Sequence, residues 1–106
     1  MAWIILFVAG LLEVVWAYFM KQSHGFTRLW PSIAALAFMG ASFGLLSISM
    51  KSLPMGSAYA VWTGIGAVGA FVVGVVVLGE ALTTGRVIAA GLIVAGLVLM
   101  QVSSRA

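Results

Sequence analysis

Along this chain the apolar positions do not alternate with polar ones; they run in four long blocks, and the charges collect between the blocks. Ala2 to Met20 is nineteen residues long with one acidic or basic side chain, Glu13, while Leu29 to Met50, Leu53 to Gly79 and Val87 to Ser104 carry no charge at all. A helix rises about 1.5 Å per residue, so some twenty apolar residues cross the ~30 Å hydrocarbon layer of a bilayer. The pattern predicts helices over 2–20, 31–50, 55–78 and 86–103, packed as one transmembrane domain that takes up residues 1–106. The connections are short, and nothing remains for a soluble domain.

The punctuation agrees. Lys21 can reach the interface as the first helix ends, and Gly25 suits the turn that follows. Thr27 is placed to cap the next helix, Trp30 suits the membrane interface, and Pro31 is tolerated in a first turn. Lys51-Ser52-Leu53-Pro54 separates the second and third spans; Glu80 to Arg86 separates the third and fourth, with Glu80 expected to face water.

Composition narrows the class. Hydrophobic residues make up 64% of the chain and charged ones 7%, with a mean hydropathy of +1.26, which belongs to a membrane protein. The net charge of +3 sits at segment ends, where it concerns lipid headgroups and orientation, so no nucleic-acid partner is expected. There is no cysteine and one histidine, His24, which reads as a solvated loop residue. No metal site, cofactor site or nucleophilic constellation is visible, and the chain is not expected to be an enzyme. The opening MAWIILF lacks a basic n-region, so the first block is expected to be a retained span.

Glu13 is the candidate centre. An acid near the middle of a span costs about 2.5 to 3.5 kcal/mol to insert, so it faces a partner or a wet cavity. Two readings are open: a protonated carboxyl bonding a neighbouring helix, or a carrier site where a proton and a cation compete for one carboxylate. Trp16 at i+3 and Gly10 at i−3 share its helix face, setting the acid between an aromatic wall and a notch where a backbone or ligand can approach. An aromatic face beside a carboxylate suits a cation.

Other faces supply candidate pocket residues. Met39, Ser42 and Phe43 cluster at i, i+3 and i+4 in the second span; Ser42 can either line a pocket or bond the carbonyl one turn back. Tyr59 and Trp62 present a phenol and an indole three residues apart, Trp62 deeper than interfacial anchoring requires. Gly64, Gly66 and Gly69 fit either a kink or sliding contact, or simple tight packing. In the fourth span Gly91, Ala95 and Gly96 form a small-residue seam assigned to a subunit interface.

Orientation follows from the basic residues. Lys21, Arg28 and Arg86 fall on one side and Lys51 and Arg105 on the other, a bias too small to fix one topology. Insertion both ways round permits an antiparallel homodimer, which supplies the inverted repeat that larger carriers encode in one chain.

Glu13 in a short first helix, GFTRLWPS at 25–32, Ala41-Ser42-Phe43 and the run PMGSAYAVWTGIG at 54–66 resemble the small multidrug resistance family over the whole chain. Glu-Val-Val-Trp at 13–16 and Lys51-Ser52-Leu53-Pro54 are similar to its guanidinium-exporter (Gdx/SugE) branch. The resemblance implies an all-α, four-helix, dual-topology antiparallel homodimer in a bacterial inner membrane, exchanging guanidinium for protons. It implies that Glu13 of both subunits binds proton or substrate in turn, that Trp16 and Ser42 shape the site, and that Tyr59 and Trp62 position Glu13. It makes Gly64 to Gly69 a hinge. The alternative is export of quaternary ammonium or other hydrophobic cations by the same exchange.

Overall fold

The computed structural model describes residues 1–104, and Arg105, which enters the charge count above, lies outside them. Four helices occupy the described chain: α1 (Ala2–Gln22), α2 (Leu29–Ser49), α3 (Met55–Val76) and α4 (Thr84–Ser104). All four are long and apolar enough to cross a membrane. The all-α, four-span architecture expected from the hydrophobic blocks is the one observed.

The ends differ from expectation by a few residues, each for a local reason. Met20 is followed by two more helical residues because the Ser23 hydroxyl donates to the Met20 carbonyl at 2.6 Å and closes the last turn. The chain then reverses through His24, Gly25 and Phe26, all at positive φ. Thr27 does not cap α2; its hydroxyl donates backwards to the His24 carbonyl at 2.8 Å, and Arg28 precedes the helix without a side-chain cap. Because α2 starts at Leu29, Pro31 sits in its first turn, where a missing N–H has no intrahelical acceptor to lose. α3 stops at Val76, and Gly79 at φ +69° folds the chain back so that the Glu80 N–H donates to the Gly74 carbonyl at 2.9 Å. α4 begins earlier than expected because Thr83 Oγ1 accepts the Arg86 N–H at 3.2 Å.

α1 packs on both α2 and α3, α2 touches α3, and α4 leans on α3 alone. The core is a small cluster of Leu6, Ala9, Leu46, Ala58, Val61 and Trp62, where α1, α2 and α3 meet. No residue within the span of α4 is buried, and Gly91, Ala95 and Gly96 lie on its exposed surface. In lipid no hydrophobic force drives helices together, so close approach through small residues does the work.

Candidate functional site

α1 and α3 run parallel, and their contacts advance together along both helices. A Cβ on Gly10 would stand 2.6 Å from Ile65 Cγ2, one on Gly66 would overlap the Glu13 carboxyl, and one on Gly69 would overlap Val14. The glycines of α3 are therefore seats for α1 side chains. Gly64 faces the other way and takes Leu97 of α4. α3 is unbroken through this run, and Gly64, Gly66 and Gly69 are each closely packed against a neighbouring helix. The notch at Gly10 is likewise filled, by Ile65 of α3.

Glu13 thus lies in the α1–α3 seam with its carboxyl against the α3 backbone at Gly66. Its Oε1 is buried and has no hydrogen-bond partner among the described residues. The same is true of Trp16 Nε1 one turn further along α1. A buried acceptor and a buried donor without partners cost free energy.

Beside them runs a line of aromatic rings drawn from three helices. Trp16 meets Phe43 edge-on with centroids 6.2 Å apart, Phe43 meets Trp62 at 5.5 Å, and Trp62 meets Tyr59 at 5.6 Å. Trp62 is only 6% exposed, whereas Phe43 within the line and Tyr59 at its end are 46% and 55% exposed. Met39 is half-buried on α2, one turn before Phe43. The structure thus brings Trp16, Phe43, Trp62 and Tyr59 together, whereas Gly91, Ala95 and Gly96 stay apart on α4.

The Ser42 hydroxyl does not bond the carbonyl one turn back. Fully buried, it donates across the helix boundary to the Ala9 carbonyl of α1 at 2.7 Å and accepts the Trp62 indole N–H at 2.9 Å. That relay pins α2 and α3 to α1 one turn before Glu13. Trp62 is consequently an internal strut and not an interfacial anchor.

Residues 1–93 match the family described as Small Multidrug Resistance protein. The chain belongs to the small multidrug resistance family. Within it, the chain is similar to the Guanidinium exporter of Yersinia pseudotuberculosis, 58% identical over 104 residues that cover 98% of this chain and 100% of the relative. It is 55% identical to the Guanidinium exporter of Citrobacter freundii, covering 98% and 99% of the two chains. A small multidrug resistance protein with four such helices is a multi-pass membrane protein, and these relatives are bacterial.

For this family member the Ser42 relay carries a prediction. Ser42→Ala should leave the Trp62 N–H without its acceptor and remove one α1–α2 tie. Hydrogen bonds between membrane helices are worth less than in an isolated pair, so the expected loss is about 1 to 2 kcal/mol. Thermal unfolding in detergent should show it.

Proposed function

We propose that this protein exports guanidinium across a bacterial inner membrane in exchange for protons, working as an antiparallel homodimer. The observation that carries the reading is Glu13 itself: a carboxylate inside a span, held against a helix backbone, with a buried oxygen that no described residue satisfies. The relatives named Guanidinium exporter support the choice of ion. Guanidinium is planar, permanently charged and rich in N–H donors, so a carboxylate takes it bidentately while an aromatic face stacks on it. Trp16 and the ring line behind it supply that face.

A proton and guanidinium compete for the same oxygens, and that competition makes the carrier an exchanger. In the dimer two Glu13 carboxylates share one site and titrate as a pair. The exposed small-residue seam of α4 supports the subunit contact, and the small bias of basic residues supports insertion both ways round. The Gly64 to Gly69 run would serve as the hinge when the site changes sides. Labelling of the C-terminal tail from one membrane face only would contradict this arrangement.

The central test is guanidinium uptake into proteoliposomes driven by a pH gradient. Uptake that ignores the gradient would refute the exchange. Selectivity provides a second test, because Trp16 occupies space beside Glu13 that a small residue would leave open. Tetraphenylphosphonium has no N–H donors and would leave buried acceptors unpaired at roughly 1 to 3 kcal/mol per lost bond, before any steric cost. The wild-type protein is expected to exclude it, and Trp16→Gly to admit it, in competition against guanidinium exchange at fixed pH. Strong wild-type transport of the bulky ion with weak transport of guanidinium would favour quaternary ammonium export instead.

A further inference from the structure

The chain has two acids, and each lies against a glycine of α3. A Cβ at Gly66 would overlap the Glu13 carboxyl, and a Cβ at Gly74 would overlap the carboxyl of Glu80. The two glycines are both buried and stand about 12 Å apart along the helix at 1.5 Å per residue. Between them Ala67 and Ala70 line a cavity of about 330 Å³ whose opposite wall is α1, from Val14 beside Glu13 to Lys21 at the membrane end. Glu80 and Arg86 stand at that end of it. Glu80 is exposed to water, as expected from its loop context, and it also borders this cavity.

Arg86 occupies this mouth in an informative way. Its guanidinium lies over the Phe71 ring, 5.2 Å from the centroid, with Nη2 at 3.6 Å from Glu80 Oε1 and Nη1 donating to the Ala81 carbonyl at 2.7 Å. A carboxylate, an aromatic face and a carbonyl are the groups that recognise a free guanidinium ion. The side chain that fills them carries the same head group. Its hold on Glu80 is one long contact with both partners about two-fifths exposed, so solvent and salt weaken it.

Taking guanidinium as the substrate, as proposed above, we infer that Glu80, Phe71 and the Ala81 carbonyl form a second, shallow cation site at the mouth of this cavity. Arg86 fills that site as a tethered surrogate and yields it to free guanidinium moving to or from Glu13. Lys21 lines the same cavity, so Glu80 is the one acid opposing two cations there. When the free ion takes Glu80, Arg86 swings into water, so the carboxylate keeps one cation beside it throughout.

The experiment measures guanidinium exchange in proteoliposomes for three variants, each first checked for helicity and monodispersity. Glu80→Gln removes the acceptor and should raise KM, Phe71→Leu removes the stacking face and should raise it too, and Arg86→Gln removes the competitor and should lower it. Shifts of about two- to fivefold are expected for groups this exposed. Equal-direction shifts for Glu80→Gln and Arg86→Gln would mean a structural ion pair, and an unchanged KM for Phe71→Leu would mean surface charge alone; either overturns the site. A titration of guanidinium hydrochloride into the Glu13→Gln protein, followed by NMR at the Glu80 and Ala81 amides, decides the site without transport. Saturable shifts that strengthen in Glu13→Gln/Arg86→Gln support it, and their absence overturns it. If the wild type carried no guanidinium, the proposed function would fail while this titration still gave its answer.

Discussion

Replacing Glu13 with Gln should give a folded, membrane-inserted protein that no longer binds guanidinium in the α1–α3 seam and does not exchange it for protons. The amide has the shape of the carboxyl, so it fits the seat at Gly66 that a larger change would disturb. Its charge is gone. Two charge-assisted hydrogen bonds at about 1.5 to 3 kcal/mol each account for a loss of affinity of roughly a hundredfold or more. The loss of exchange should be complete, because an amide has no proton to trade against the cation. Glu13→Asp keeps the charge on a shorter arm and should retain exchange with a displaced pH midpoint. The measurement is guanidinium flux in proteoliposomes with and without a pH gradient, beside a binding isotherm in detergent. Gradient-driven uptake by the Gln protein would remove Glu13 from the mechanism.

The four spans were legible because hydrocarbon leaves the backbone one choice: a helix satisfies its own N–H and C=O groups, and apolar length alone then locates it. The ends were less legible. They turn on single hydroxyls, and Thr27 and Thr83 are the same residue type with opposite outcomes, one bonding backwards and one capping the helix ahead. Within the site, Glu13 with Trp16, and Tyr59 with Trp62, could be read from spacing because residues three apart share a helix face. Ser42 could not. Every membrane serine has a carbonyl one turn back, and only the approach of α1 decides that the bond goes to Ala9 instead. The glycines were visible as space, but what fills the space is a property of the neighbouring helix. Gly66 and Gly74 therefore became carboxylate seats only once α1 and the turn at Gly79 had placed Glu13 and Glu80 against them.

The Gly66 seat gives the second large expected effect. By helix propensity alone, Gly66→Ala should stabilise α3 by about 1 kcal/mol, since alanine loses less backbone entropy than glycine. The contact works against it. The added methyl would overlap Oε1 and Cδ of Glu13 and stand 2.9 Å from Cγ, so the whole carboxyl arm must leave the α3 backbone. Because that arm ends in a flexible side chain, the protein should still fold. Guanidinium exchange should nevertheless fall by about tenfold or more, the worth of one charge-assisted bond held in place. Two comparisons separate this from general damage to packing. Gly69→Ala meets Val14 and Gly64→Ala meets Leu97, both apolar, so these should lower thermal stability and slow the hinge, but leave intact the guanidinium affinity that Gly66→Ala lowers. Combining Gly66→Ala with Glu13→Asp, whose carboxyl sits one methylene further back, should recover part of the lost exchange. Wild-type exchange by Gly66→Ala alone would show that the carboxyl does not need its place against α3, and the role argued here for that glycine would fall with it.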